Sequence, residues 1–376
     1  MKILYVYESI ARWGGIERVW TDKINWLVNN GHDVELVTTI QGCHPIPYRF
    51  DNRVIIKDLG VQNHYSYRYK GLRKLWDKWC REIKFETLLS KEIGEFNPNV
   101  IACVATVYMP TLVKLKRNIL LVAESHEMCV NSYYKPKKSI INKFKNYILF
   151  KAFAKADCII TLTEGDAKEW RQYNKNIVVI PNIVHLNPTG VYSKLTQKHV
   201  IFVGRIAEQK GIQSLFFIWE KVSKKHPEWT LDIFGESDSK QMFEWVNNRI
   251  NKYSNIVLHE PTDKIFEKYC ESSIFILTSV YEPFGLVIPE AMSCGLPVVS
   301  FDCPYGPRDI ITEGFDGFLV QPGNCKKFAD KVCFLIEHPE ERKRMGANAI
   351  KSAKRYSPEK IMPKWIQLYD SLIKRK

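Results

Sequence analysis

Apolar residues in the first half of the chain fall into short runs that alternate with segments of helical spacing. Residues 3–7 form an apolar run, and Ile16, Val19, Trp20 and Ile24 then recur three and four positions apart until the chain reaches Asn30-Gly31. Further apolar runs occupy residues 34–38, 100–104, 119–123, 158–162 and 177–180. Continuous apolar runs between amphipathic helices are typical of parallel strands buried on both faces. The pattern predicts an α/β unit with a doubly wound parallel sheet.

The second half of the chain restarts this alternation. Its apolar runs are residues 200–203, 231–234, 256–258, 274–278 and 297–300, again with helical stretches between them. The repetition predicts two Rossmann-like doubly wound domains, residues 1–185 and 186–357. Residues 358–376 follow as a predicted terminal helix.

Composition narrows the class of protein. The chain has 376 residues, of which 45% are hydrophobic and 12% aromatic, so we expect folded domains rather than disorder. No apolar run approaches the ~18 residues of a membrane-spanning helix, and Glu8 interrupts the first run before it reaches the length of a signal peptide. The ten cysteines form no C-x2-C pair, which favours reduced thiols in a cytoplasmic protein over a zinc site or a disulfide scaffold.

The positive charge of the chain is uneven. The formal net charge is +14, and residues 1–190 hold 28 basic against 18 acidic residues, whereas residues 191–376 hold 27 against 23. A basic first half favours an anionic partner, which could be a phospholipid surface, a lipid phosphate, a nucleic acid or an acidic glycan.

Two carboxylates eight positions apart, Glu282 and Glu290, form the most informative constellation. On one unbroken helix they would share a face, but Pro283, Gly285 and Pro289 interrupt it. We therefore predict that Glu282 lies in a loop and Glu290 in a first helical turn, with Pro289 at the first helical position. Acids beside a glycine turn and a helix N-terminus suit a ligand with both hydroxyls and a phosphate, such as a sugar nucleotide. Two solvated surface acids are the plainer alternative.

This stretch resembles the E-x7-E signature of the retaining family 4 glycosyltransferases, which have the GT-B fold. Two other segments also match that family's patterns, namely Gly14-Gly15-Ile16-Glu17 and the run from Gly204-Arg205 to Lys210-Gly211. The resemblance implies an N-terminal acceptor-binding domain and a C-terminal nucleotide-sugar-binding domain that face each other across a cleft. It also implies that the terminal helix returns to the N-terminal domain.

The resemblance assigns roles residue by residue. Glu282 and His126 would act at the transferred sugar, and Glu290 would accept hydrogen bonds from the nucleotide ribose. Gly14 and Glu17 are possible acceptor contacts. The donor diphosphate would bind a larger set, comprising Arg205, Lys210, Gly15, Phe284, Gly285 and Leu286. Arg205 and Lys210 suit a diphosphate chemically, because one offers a bidentate fork and the other a point charge.

No Asp-x-Asp motif is present, and metal-dependent transferases use such carboxylates to hold a divalent cation on the diphosphate. We therefore expect no metal and no cofactor, with a nucleoside diphosphate sugar, expected to be a UDP-sugar, as the donor substrate.

Two basic tracts rich in aromatic residues bear on the partners. They cover residues 133–155 and residues 68–84, and the second carries Trp76 and Trp79. Each is either a basic amphipathic helix on anionic lipid or a packed helix with a solvated lysine face.

Taken together, these features predict a cytoplasmic, membrane-associated, retaining glycosyltransferase, peripheral on the inner face of the membrane. It would transfer a hexose or N-acetylhexosamine to a lipid-linked or cell-surface glycan acceptor. A basic nucleic-acid-binding protein and a non-catalytic sugar-nucleotide-binding protein are the alternatives. The chain shows no recognised nucleic-acid motif, so we expect no nucleic-acid partner.

Overall fold

The computed structural model describes residues 1–62, 67–105, 108–129 and 140–375, with the backbone alone for residues 140–143. The described chain divides into two compact units. Unit 1 comprises Met1–Ile183 and Ile361–Lys376, and unit 2 comprises Val184–Lys360.

Unit 1 is built on a seven-stranded parallel sheet of order β3-β2-β1-β4-β5-β6-β7. Its strands are β1 (Lys2–Tyr7), β2 (Asp33–Thr38), β3 (Ile55–Asp58), β4 (Val100–Val104), β5 (Leu120–Ser125), β6 (Cys158–Thr161) and β7 (Ile177–Val179). The helices between them are α1 (Gly15–Asn29), α2 (Gly71–Phe96), α3 (Met109–Leu115), α4 (Ile140–Phe153) and α5 (Glu164–Trp170). The short edge strand β3 is absent from the predicted pattern, because only two of its four residues are apolar.

The strand order of unit 1 reverses beside β1. Strand β1 pairs with β2 on one side and with β4 on the other, both in parallel register. Open α/β sheets bind ligands at the carboxyl ends of the strands flanking such a reversal. The loops that follow β1 and β5 carry Gly14 and His126, so both predicted site residues lie at this edge.

Unit 2 repeats the architecture with six parallel strands in the order β10-β9-β8-β11-β12-β13. The strands are β8 (His199–Val203), β9 (Thr230–Phe234), β10 (Ile256–His259), β11 (Ile274–Leu277), β12 (Val298–Phe301) and β13 (Gly317–Val320). The helices are α6 (Ile212–Lys225), α7 (Lys240–Ile250), α8 (Ile265–Cys270), α9 (Val287–Ser293), α10 (Gly306–Ile310), α11 (Cys325–Glu337) and α12 (Pro339–Ala353). Here β8 and β11 flank the reversal.

The terminal helix α13 (Pro358–Lys374) begins at the predicted residue and lies within the predicted segment 358–376. From Ile361 onward the chain belongs to unit 1. Ile361, Trp365 and Tyr369 are buried at i, i+4 and i+8, which accounts for the apolar stripe of this helix.

The structure confirms the predicted α/β class with two Rossmann-like units. Across the described ranges, none of the helices has the length and apolar character needed to cross a membrane.

Candidate functional site

The loop after β8 in unit 2 is held against the end of β11 by close backbone contact. It closes with a 3₁₀ turn, Glu208–Lys210, followed by Gly211 at φ +64°. A Cβ at Gly211 would lie 2.0 Å from the carbonyl oxygen of Thr278, so a side chain cannot be accommodated there. The Thr278 hydroxyl donates to the Lys210 carbonyl oxygen at 2.8 Å. Lys210 is therefore fixed at the carboxyl ends of the two strands that flank the reversal.

Lys210 and Glu282 form a buried ion pair. The distance between Lys210 Nζ and Glu282 Oε2 is 2.6 Å, and the two side chains are only 11% and 9% exposed. The Ser279 hydroxyl donates to the same carboxylate oxygen at 3.1 Å. Sequence reasoning assigns these two residues separate contacts with a ligand. The structure brings them together, since a buried charge requires a partner.

The predicted phosphate-binding turn follows Glu282 directly. Gly285 has φ +91°, and a Cβ there would lie 2.9 Å from Glu282 Cγ. No acceptor among the described residues takes a hydrogen bond from the backbone N–H groups of Phe284, Gly285 and Leu286. Three consecutive unbonded amides beside a lysine can receive anionic oxygens.

Glu290 lies in the first turn of α9, as predicted, and is buried. The predicted position of Pro289 is wrong, because it is the third helical residue rather than the first. Leu286 already has helical angles, φ −49° and ψ −35°, so the helix begins at Val287. Proline is tolerated at the third position since first-turn N–H groups have no partner within the helix.

Arg205 is exposed, as Gly15 is, whereas Lys210, Phe284 and Gly285 of the predicted donor-binding set are buried. Its Nη2 donates to Gln209 Oε1 at 3.0 Å, and Gln209 Nε2 donates to the Tyr281 carbonyl oxygen at 3.1 Å. Gln209 thus links the β8 loop to the segment carrying Glu282. The pattern gave no sign of this bridge.

His126 in unit 1 is held by a buried carboxylate, Glu124. His126 Nε2 lies 3.0 Å from Glu124 Oε2, and Trp20 Nε1 lies 3.1 Å from the same oxygen. Burial by itself raises the pKa of Glu124, but Lys23 and the hydrogen bond from His126 lower it overall. Because an ionised carboxylate only accepts, both nitrogens donate to it.

Lys23 neutralises Glu124 from helix α1. Its Nζ donates to Glu124 Oε1, and it also lies 4.0 Å from the ring centroid of Trp365 on α13. Both members of the ion pair are 2% exposed. Sequence reasoning missed Lys23 and Trp20. The available signal was that Lys23 falls on the apolar face of the amphipathic helix α1.

The glycine loop after β1 is shaped by Glu17. Gly15 is the first residue of α1 and Gly14 its N-cap, where a Cβ would lie 2.1 Å from Glu17 Oε2. Burial raises the pKa of Glu17, and the Tyr7 hydroxyl donates to its carboxylate at 3.3 Å. Glu17 therefore folds back over Gly14. Its role as an acceptor contact stays a prediction.

A second carboxylate, Asp166, supports the loop that carries His126. It accepts hydrogen bonds from the Ser125 hydroxyl at 2.8 Å and from the Cys129 backbone N–H at 3.0 Å. Burial raises its pKa to about 6 from the usual 3.8. Asp166 was also missed, since nothing in its spacing relates it to His126.

In the parts of the chain that the structure describes, no three His, Cys, Asp or Glu side chains are grouped as metal ligands. The expectation that catalysis needs no metal stays a prediction.

Comparison with known proteins identifies the family. The model of glycosyl transferases group 1 matches residues 191–352, and the model of glycosyltransferase family 4 matches residues 13–187. The chain is a family 4 glycosyltransferase. The two matches together extend over both units, which confirms the family resemblance that the sequence motifs indicate. A member of this family is an enzyme.

Similar proteins span nearly all of this glycosyltransferase. An uncharacterized glycosyltransferase of Haemophilus influenzae is 26% identical, with 97% of this chain and 98% of that one covered. The amylovoran biosynthesis glycosyltransferase AmsD of Erwinia amylovora is 27% identical, with the same coverage. Among solved structures, a variant of S. aureus TarM with fondaparinux, α-GlcNAc-glycerol and UDP is similar at a TM-score of 0.75. It is 17% identical, covers 98% of this chain and is itself fully covered.

Replacing Lys210 by alanine should strongly destabilise unit 2, because Glu282 would stay buried without its cation. Removing one partner of a buried pair typically costs about 3–5 kcal/mol. Chemical denaturation, followed by circular dichroism, measures the free energy of unfolding. The matched control is Lys224→Ala, which breaks an exposed pair with Glu220 and should cost less than about 1 kcal/mol. Equal losses in the two variants would contradict this account of the pair.

Asp166 should make the stability of unit 1 depend on pH. Its folded pKa of about 6 lies above the usual 3.8, so the native state binds the proton more tightly than the unfolded state. The stabilisation is complete below pH ~3.8 and is lost as the pH rises through about 6. Relative to Asp166→Asn, the free energy of unfolding should rise by about 2–3 kcal/mol from pH 7.5 to pH 4. The exposed control Asp33→Asn should track the unmodified enzyme throughout, and a flat difference for Asp166→Asn would refute the assignment.

Proposed function

We propose that this enzyme transfers a hexose or N-acetylhexosamine, with retention of configuration, from a UDP-sugar to a lipid-linked or cell-surface glycan. One observation carries the proposal. At the carboxyl ends of β8 and β11, the Lys210–Glu282 pair lies beside three backbone amides that donate to none of the described residues, with buried Glu290 on the next helix.

The leaving diphosphate gathers negative charge as the glycosidic bond breaks, and fixed donors aimed at it lower the barrier. A lysine ammonium has three donors, so Lys210 can keep Glu282 and still bind a phosphate oxygen. Arg205 supplies a second cation from the exposed side of the same loop. The amides of residues 284–286 would bind the remaining oxygens.

Glu282 is fixed by Lys210 and Ser279, which would leave its second carboxylate oxygen for a sugar hydroxyl. Glu290 would accept from the ribose. His126, oriented by Glu124, would act at the transferred sugar as the family resemblance implies. The UDP in the TarM structure supports the choice of nucleotide, and retention rests on the family resemblance alone.

The acceptor class is supported by relatives and by charge. AmsD is named for amylovoran biosynthesis, and the TarM structure contains α-GlcNAc-glycerol. The basic first half suits an acceptor carried on phosphate or at an anionic membrane. We place the enzyme in the cytoplasm, peripheral on the inner face of the membrane, with no nucleic-acid partner.

The predicted basic tract of residues 133–155 has two parts. Residues 133–139, with Lys135, Lys137 and Lys138, lie outside the described residues. In helix α4, Leu149 and Phe153 are buried in the core, whereas Phe144 and Tyr147 are exposed. Helix α4 therefore packs on one face, as the packed-helix alternative expects, and presents aromatic rings on another. Lipid binding by this tract stays a prediction.

Glu290→Gln and Glu282→Gln should affect different kinetic constants. Loss of a charged hydrogen bond to the ribose costs about 1.5–3 kcal/mol, so Glu290→Gln should raise the donor KM roughly 10- to 100-fold. Glu282→Gln should mainly lower kcat, because the second carboxylate oxygen of Glu282 would contact the reacting sugar. Initial rates over a UDP-sugar panel measure both. The control Glu271→Gln alters an exposed acid of the same unit, and unchanged kinetics in both site variants would refute the assignment.

Turnover should survive EDTA, since Arg205 and Lys210 would neutralise the diphosphate in place of a divalent cation. The measurement is the initial rate before and after chelation, with Mn²⁺ and Mg²⁺ added back. Complete loss of activity that either metal restores would show that the enzyme needs a cation.

A further inference from the structure

Helix α2 is much longer than the sheet against which it packs. Its 26 residues span about 39 Å, whereas the longest strands of unit 1 have six residues and span about 20 Å. The buried residues of α2 begin at Phe85 and continue through Leu89, Ile93 and Phe96. The first half of the helix therefore projects beyond the core.

The direction of the helix fixes where this projection lies. Only residues 97–99 separate the end of α2 from the start of β4, so its C-terminus is at the amino ends of the strands. Its N-terminal half consequently lies at the carboxyl edge of unit 1. The loops carrying Gly14 and His126 are at that same edge.

The projecting half carries an exposed apolar stripe. Leu72, Leu75, Trp76 and Trp79 recur at i, i+3, i+4 and i+7, and so they share one face. They are 85%, 63%, 65% and 55% exposed, and the rings of Trp76 and Trp79 lie 5.0 Å apart. Four large apolar side chains exposed together mark an interaction surface rather than scattered surface residues.

The stripe is not an extension of the core-facing side of α2. At 100° per residue, its centre is rotated by roughly 100° from the face that buries Phe85, Leu89 and Ile93. Packing within unit 1 therefore does not account for it. A helix that changes its apolar face halfway along presents one face to the core and the other outward.

Cations surround this stripe. Residues 68–84 contain seven basic and two acidic side chains, and Asp77 is paired with Arg81 at 2.8 Å. Lys70, Arg73 and Lys78 are exposed. Indole rings favour the interface of a bilayer, and flanking lysines and arginines bind anionic headgroups. Two copies of the same positive patch would repel each other, which disfavours self-association through it.

We propose that the N-terminal half of α2 is the surface by which this enzyme docks on an anionic phospholipid bilayer, with Leu72, Leu75, Trp76 and Trp79 inserted at the interface. The proposal rests on the membrane-associated part of the proposed function and locates it on one helix. Docking there would place the carboxyl edge of unit 1 near the membrane, where a lipid-linked acceptor is found.

The test uses the full-length enzyme and vesicle flotation, which needs neither donor nor acceptor. The vesicles contain phosphatidylcholine alone or an equal mixture with phosphatidylglycerol. Trp76→Ser with Trp79→Ser removes the apolar anchor, and Lys74→Glu with Lys78→Glu reverses charge beside it. The matched control is Phe217→Ser with Lys221→Glu, which alters an exposed aromatic–lysine pair on α6 of unit 2.

Both α2 variants should bind the anionic vesicles at least roughly tenfold more weakly than the unmodified enzyme, whereas the control should bind normally. The loss in the lysine variant should shrink at high salt, because salt screens the attraction. Thermal melts that match the unmodified enzyme confirm folding. Calorimetric titration of UDP tests the donor site separately. If UDP does not bind, the proposed donor is wrong, and the vesicle-binding result still stands.

Three results would overturn the proposal. The unmodified enzyme could fail to float with anionic vesicles, or the α2 variants could float as well as it does. Alternatively, light scattering could show a dimer that Trp76→Ser with Trp79→Ser abolishes, which would make a second copy of the chain the occupant of this face.

Discussion

A buried lysine–glutamate pair at the carboxyl edge of each sheet is the interaction on which the candidate sites depend. In unit 1 the pair is Lys23 with Glu124, and in unit 2 it is Lys210 with Glu282. Neither charge of a pair can be removed without leaving the other unpaired in a poorly solvated environment. The first pair ties helix α1 to the end of β5, and the second ties the loop after β8 to the loop after β11.

The two ion pairs have different roles in the proposed reaction. Lys23 is enclosed by Trp20, Trp365 and Tyr5, so it acts on a ligand only by keeping Glu124 ionised and His126 oriented. Lys210 lies beside unbonded amides and Arg205, where an anionic ligand can share its ammonium group. One pair positions a side chain, and the other is itself part of the proposed donor site. This difference follows from what surrounds each lysine, since the ion pairs themselves are alike.

Close backbone approach is the second constraint on the donor site. Gly211 lies against Thr278, and at Gly306 a Cβ would lie 1.9 Å from the carbonyl oxygen of Phe284. These glycines let the loops after β8, β11 and β12 converge on one small volume. Any side chain at these positions would push the loops apart and separate Lys210 from Glu282. The glycine-rich motifs are thus as necessary to the geometry as the charged residues they accompany.

The sequence by itself determined the α/β class, the two repeated sheets, the terminal helix and the family, because buried parallel strands and glycine loops leave local patterns. It missed β3, the four-residue strand β13 and the start of α9, where few apolar residues, a short run or a single proline gave a weak local signal. Only the tertiary structure decided the partners of the charged residues. Lys23 meets Glu124 across 101 positions and Lys210 meets Glu282 across 72, distances over which spacing carries no information. The structure likewise showed which apolar residues of α2 the core leaves exposed, because burial depends on how far the sheet extends beneath a helix.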